Sequence, residues 1–273
     1  MNVREFLRYL WDEWFRQVGE ALLVAFVITT FFFTTVQVYG RSMVPTLQHG
    51  ERVLVPKYEM WLERFGLRAW HRGEIVIVKP PPGAPNSVAA FPILGFQYRP
   101  YFIKRLVARP GDTVRVEEGR LVVNGVYVDE SFITDKIQPY PDSFPRVLVI
   151  DGKVVGFQGY RVDNLPAYLN DALAMLEPVP EEVKLASRAR PVEYVGTLRL
   201  APGYYFVMGD NRTLGGSEDS RVFGPIPDPN IAGRASAVWW PPVTRDERGR
   251  WKLNLRRLTI PPGFRAVPDA PAN

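Results

Sequence analysis

The stretch FIKRLVARPGDTVRVEEGRLVVNGVYV, residues 102–128, decides the architecture. Phe102–Ala108 and Thr113–Glu117 read as short strands, the second with apolar and polar residues alternating at the period expected of a strand with one buried face. Leu121–Val128 repeats the pattern and breaks at Asn124-Gly125, a dipeptide suited to the two-residue hairpin turn. Working outward, similar runs occupy Arg52–Val55 and Glu74–Lys79 upstream, and Tyr204–Met208 and Ala235–Trp240 downstream. The 26 prolines and 22 glycines suit turns and extended segments rather than helical bundles. A mainly β fold is predicted. Between 130 and 200 the pattern changes: RVLVIDGKVVGF carries its own hairpin signal, and Leu165–Glu177 is a helix candidate opened by Pro166. This segment reads as an inserted α/β subdomain.

The N-terminal region has a different character. Ala21–Val38 runs without a charge, long enough as a helix to cover about 27 Å and just span a bilayer. A cleavable signal sequence has a shorter apolar core followed by a small-x-small site. Here Val36-Gln37-Val38-Tyr39 follows instead, so a retained anchor is expected. Ahead of it, Phe6, Leu7, Leu10, Trp14 and Phe15 recur at helical spacing among Arg4, Arg8 and Arg16, the pattern of an interfacial helix. These arginines favour a cytoplasmic N-terminus, although Arg41 and Arg52 weaken the charge rule when it is used alone. The chain thus divides into an amphipathic segment (1–20), one transmembrane anchor (21–39), a β domain in two parts (40–129 and 201–260) around the insert (130–200), and a Pro-rich tail (261–273) expected to fray. Two further stretches, 61–70 and 91–102, are unusually apolar for loops. Core burial competes there with a reading in which Trp61, Phe65, Phe91, Ile93, Leu94 and Phe96 dip into the bilayer interface.

Composition narrows the chemistry. The chain has no cysteine, which excludes thiolate nucleophiles and thiolate metal sites, and its two histidines, His49 and His71, form no HExxH motif. A net charge of +5 spread along the chain without lysine tracts gives nucleic-acid binding little support and suits an anionic membrane surface. Against that background three elements stand out. In Gly40-Arg41-Ser42-Met43-Val44-Pro45, just past the anchor, Gly40 frees the backbone and Pro45 forbids a regular helix, so Ser42 sits on a constrained turn. In Phe102–Ala108, Lys104 shares a strand face with Phe102 and Leu106, and desolvation by such neighbours favours the neutral amine, a competent general base. Only seven of the 34 basic residues are lysines. In a chain that draws its charge from arginine, a lysine among apolar neighbours points to a need for deprotonation. The third element, residues 209–225, contains Asp210, Arg212, Asp219 and Arg221, two acidic-basic units able to pair and hold one loop. Singly, each of these residues has an ordinary surface explanation.

Together, SMVPTL (42–47), RGEIVIVKP (72–80), YFIKRLVARPGD (101–112), GDNR (209–212), SEDSR (217–221) and GRA (233–235) closely resemble bacterial type I signal peptidase, in order and with serine and lysine 62 residues apart. The resemblance implies a signal-peptidase-like β catalytic domain that removes signal peptides from exported preproteins. By motif position it implies Ser42 as nucleophile and Lys104 as general base, without metal or cofactor. It further implies Ser217 as the serine that orients the lysine, supported by Asp210, Arg212, Asp219 and Arg221. Four residues separate Arg212 from Ser217 where the family usually has two, which loosens that assignment. Gly40 stands where some members carry a serine that helps bind the oxyanion, so the backbone N–H of Ser42 is the expected donor. Specificity for small residues at −1 and −3 would come from shallow pockets lined by Val36, Val38, Met43, Phe102 and Ile103. The resemblance also places the enzyme in the cell membrane as a single-pass protein, its catalytic domain extracytoplasmic, touching the lipid bilayer and working close to the protein export machinery.

Two other readings are open. A LexA-like self-cleaving regulator shares the Ser/Lys chemistry but should carry a helix-turn-helix region, where this chain has an apolar segment. A non-catalytic membrane-anchored scaffold would leave Lys104 without a role and untied to Ser42.

Overall fold

The computed structural model describes Arg4 and residues 8–91, 95–245 and 249–270. Phe6, Leu7, Ile93 and Leu94, predicted to meet the membrane interface, lie outside the described residues. The apolar helix α1 runs Glu13–Phe32, and none of its described side chains is buried. Twenty residues reach about 30 Å, the thickness of a bilayer's hydrocarbon core. This differs from the 21–39 expectation at both ends: the helix starts earlier and stops at Phe32. The reason lies in FTTVQ, whose aromatic and β-branched residues leave the helix to form strand β1 (Phe33–Gln37), paired antiparallel with β2 (Arg52–Pro56).

The remaining strands are short and mostly antiparallel neighbours. After α2 (Lys57–Arg64) come β3 (Ile75–Val78), β4 (Phe102–Ala108), β5 (Thr113–Glu117) and β6 (Arg120–Val123). Then β7 (Arg146–Ile150), β8 (Lys153–Phe157) and β9 (Val192–Val195) lead to β10 (Tyr204–Met208), β11 (Ile231–Arg234) and β12 (Ala237–Trp240). One sheet has the order β1-β2-β12 and ends on Arg256–Arg257; another runs from Ile226–Pro227 through β10, β4 and β3 to β11. The predicted turns form: Asn124-Gly125 and Asp151-Gly152 have positive φ at both residues, as a tight two-residue hairpin requires.

Period two separates the faces of the central sheet. Ile75, Ile77 and Ile103 pack with Val53, Val55 and Val238 of the other sheet, whereas Val76, Val78, Phe102 and Leu106 join Trp70, Val207 and Phe223. Residues 130–200 contribute a four-stranded sheet containing β7, β8 and β9 but no separate core. Val147, Val149, Phe157 and Leu169 share one buried cluster with Val107, Val114 and Phe206. The helix expected at Leu165–Glu177 is shorter, Asn170–Ala174 after a single turn at Ala167–Leu169.

Through residues 261–268 the tail is packed rather than frayed. Phe264 and Val267 are buried, and the Arg72 guanidinium, paired with buried Asp112, also donates to the Val267 carbonyl at 3.2 Å. Apolar side chains and a satisfied buried charge hold residues that proline content alone marks as loose. Of the two apolar stretches, Trp70 is core, while Trp61, Phe65, Leu67, Phe91 and Phe96 are exposed.

Candidate active site

Lys104 occupies the middle of β4, which is bordered by β3 on one side and β10 on the other. Its partner in β3 is Val76, and only 3% of its surface is exposed. Burial among apolar neighbours pushes its amine down to about 8 from the ordinary lysine value, with Arg221 acting in the same direction. Asp219, Glu218 and Asp210 oppose that shift without cancelling it. The ammonium nitrogen lies 3.1 Å from Ser217 Oγ, to which it donates, and 5.4 Å from the centre of the Phe102 ring.

Ser42 stands on the half-buried turn that follows β1, between exposed Arg41 and fully buried Met43. Gly40, with a φ of 84°, turns the chain in a conformation that suits glycine, and its N–H donates to His49 Nδ1 at 3.0 Å. The Ser42 carbonyl accepts from the Asn211 N–H at 3.0 Å, tying the serine turn to the 209–217 loop. Gly209 is the closest point between them: a Cβ there would stand 2.5 Å from both the Ser42 carbonyl oxygen and Ser217 Cβ, with Ser217 Oγ nearer still. Gly209 therefore touches both the Ser42 backbone and Ser217, the residue to which Lys104 donates.

The loop is held from behind by buried charges, and here the pairing differs from expectation. Asp219 and Arg221 do pair, through two guanidinium contacts of 2.9 and 2.8 Å. Asp210 and Arg212 do not pair with each other. Asp210 takes a two-pronged bond from Arg105 and a hydroxyl bond from Thr46, and Arg212 crosses to Glu130 while donating to the Gly209 carbonyl at 2.7 Å. Each therefore reaches a different neighbouring element: Asp210 the strand of Arg105, and Arg212 the start of the 130–200 segment at Glu130. Burial raises the cost of the charged Asp219, yet Arg221, Lys104 and the Gly209 N–H outweigh it and hold its carboxyl well below the usual range. Its negative charge is thus permanent near Lys104.

Thr46, Glu130, Asp142 and Gly209 are the parts of this site to which the sequence alone assigns no role. Thr46 and Gly209 had a local signal, their places in SMVPTL and GDNR; Asp142, which binds Arg221 at 2.7 Å, sits 79 positions away from it in a featureless run. Of the five residues expected to line the specificity pockets, Val36, Val38, Met43 and Ile103 meet in one cluster. Phe102 lies on the opposite face of β4, against Phe223. Two backbone edges adjoin this region: β1 is the outer strand of its sheet, and the β4 ladder with β10 stops at Arg105, leaving Phe102–Lys104 unpaired on that side.

The profile of the family described as signal peptidase, peptidase S26, matches residues 11–240. Signal peptidase I of Pseudomonas aeruginosa is 32% identical over 237 residues, covering 81% of this chain and 70% of that protein. Signal peptidase I of Bacillus licheniformis is 28% identical over 84% of this chain and 88% of that protein. Thylakoidal processing peptidase 1 of Arabidopsis thaliana is 29% identical over 74% of this chain, which spans 40% of that protein's length.

Proposed function

Because the chain belongs to the signal peptidase family, peptidase S26, we propose that it is a serine endopeptidase that removes the signal peptides of exported preproteins, using Ser42 as nucleophile and Lys104 as general base. One observation carries the assignment: a buried lysine with a depressed pKa, 3.1 Å from Ser217, which touches the same Gly209 as the Ser42 backbone. With a pKa of about 8, about a tenth of Lys104 is neutral at pH 7, against roughly three parts in ten thousand for an ordinary lysine. The neutral amine takes the Ser42 hydroxyl proton as the oxygen attacks the scissile carbonyl. The backbone N–H of Ser42 receives the developing oxyanion. The protonated amine then returns its proton to the leaving nitrogen, an acyl-enzyme remains, and a water activated by Lys104 releases the product. Ser217 keeps the amine aimed, and the Asp210, Arg212, Asp219 and Arg221 contacts hold the loop that carries it.

The substrate lies extended between the outer edge of β1 and the unpaired edge at Phe102–Lys104, adding backbone hydrogen bonds to both. Small residues at −1 and −3 fit because Val36, Val38, Met43 and Ile103 leave little depth. Phe102 contributes through its backbone and as a cover over Lys104. Since β1 continues α1 directly, the scissile bond is met close to the membrane exit.

The family is membrane-associated, and α1 supplies one apolar helix of spanning length. We place its N-terminus in the cytoplasm and the β domain outside, close to the export machinery. Exposed Trp61, Phe65, Phe91 and Phe96 rest on the bilayer surface, and segment 130–200 is an insert packed onto the catalytic core.

The test is cleavage of a preprotein by detergent-solubilised full chain. Ser42→Ala and Lys104→Ala each abolish cleavage while leaving the far-UV circular dichroism unchanged. Cleavage retained by Lys104→Ala sinks the dyad.

A further inference from the structure

A cleft of about 1070 Å³ lies outside the Lys104–Ser217 pair. It opens between the serine turn, Arg256–Leu258 and the hairpin of Val243–Arg245 with Trp251–Leu253. Seven lysine and arginine side chains line it, and Glu51 is the one carboxylate among the described lining residues. The whole chain carries a net charge of only +5, so this cleft concentrates the basic excess in one place. Part of that charge is already committed: Arg256 is paired with Glu51 at 2.7 Å, and Arg245 stacks 4.7 Å from the Trp251 ring. Lys136, Lys252 and Arg257 have no carboxylate within ion-pair distance among the described residues, and all three are exposed.

We infer that this cleft binds the phosphate-bearing headgroup of an anionic membrane phospholipid. The rim explains why the occupant is a lipid. Leu253 lines the cleft, and Trp251 and Leu255 adjoin its lining residues Lys252, Asn254 and Arg256 in the chain; all three are between half and three-quarters exposed, an arrangement that matches an amphiphile with one anionic end and one apolar end. Position points the same way. Arg257 also lines a second cleft together with Ile28 and Phe32, at the end of α1 where the chain leaves the bilayer. The row Thr35–Leu54–Ala237–Arg257 crosses the sheet in three strand spacings, about 14 Å, from the strand that continues the helix. Pro45 and Thr46 form another wall, and Arg256 donates to the Thr46 carbonyl at 2.9 Å. A headgroup in the cleft therefore sits against the turn that carries Ser42.

The experiment is native mass spectrometry of the full chain released from detergent micelles doped with dioleoyl phosphatidylglycerol or dioleoyl phosphatidylcholine, and separately exposed to inorganic phosphate. The wild type retains one phosphatidylglycerol at lipid concentrations where phosphatidylcholine is not retained. Lys252→Glu/Arg257→Glu needs about tenfold more lipid for the same occupancy. Lys136→Gln/Lys252→Gln, which leaves the sheet untouched, shifts in the same direction should the first pair melt below the wild type. Arg188→Glu/Arg190→Glu, exposed on the 130–200 segment, binds as the wild type does. The inference is overturned by equal retention of the two lipids, by unchanged binding in both cleft variants, or by an equal loss in the Arg188/Arg190 variant, which would mean diffuse charge attraction. Phosphate retained as firmly as the lipid would make the cleft a site for a soluble anion instead.

Discussion

Gly209→Ala tests the construction of the active site most directly. The added Cβ would stand 2.5 Å from the Ser42 carbonyl oxygen and from Ser217 Cβ, where ordinary contact begins at 3.4 Å, so both must retreat by about 0.9 Å. Gly209 itself cannot give way. Its N–H is bonded to buried Asp219 at 2.8 Å and its carbonyl to buried Arg212 at 2.7 Å. Its φ is not positive, so alanine meets no backbone strain, only lack of space. Overpacking of this kind costs about 1–3 kcal/mol of stability. A misplacement near 1 Å among reacting groups costs about 100-fold in rate, equivalent to about 2.7 kcal/mol of barrier. The expected outcome is kcat reduced about 100-fold, KM little changed, and a folded protein melting a few degrees lower, measured on a preprotein-derived peptide alongside a thermal scan. A kcat within threefold of the wild type would refute the claim that Ser42 and Ser217, and through Ser217 the Lys104 amine, are positioned by this glycine.

Other consequences follow from the charges and the packing. The rate constant kcat/KM should rise with pH along a limb centred near 8, as Lys104 loses its proton, and Glu218→Gln should move that limb to lower pH because the Glu218 carboxylate raises the lysine pKa; a limb unmoved, or moved upward, contradicts the electrostatics. Lys104→Met should be inactive yet more stable. The buried amine costs about 3 kcal/mol while the unfolded chain is protonated and the folded one resists protonation. That cost is fully present below pH 8 and vanishes as pH rises towards 10.5, so the denaturation advantage of the variant should be largest at neutral pH and close in that window. Finally, Phe264→Ala should lose about 3–5 kcal/mol in urea titration, since this side chain from the supposed loose tail is 3% exposed in the main core. A loss under 1 kcal/mol would mean that the tail is not part of the fold.

Much of the molecule was legible in its residue order. Alternation within Phe102–Val128, with Asn124-Gly125 at the turn, marks strands and their joint because period and turn chemistry are local properties. The apolar helix, the isolation of Lys104 in an arginine-rich chain, and the order of the motifs are of the same kind. The end of the helix at Phe32 was not, because FTTVQ is apolar enough to extend a span and becomes a strand only once Arg52–Pro56 lies beside it. The tail likewise reads as loose until Arg72, held by Asp112, meets it.

What the sequence by itself determined is the inventory: a serine on a constrained turn, a lysine on an apolar strand face, a charged loop and an apolar helix. Tertiary structure alone decided how that inventory is wired. Asp210 could have paired with Arg212 two residues away but instead takes Arg105, and Arg212 takes Glu130, 82 positions distant. A depressed lysine pKa and a glycine with no room for a methyl group are properties of what surrounds a residue. Partners brought from distant parts of the chain supply those surroundings, because burying a charge is tolerable only where the fold places its counter-charge.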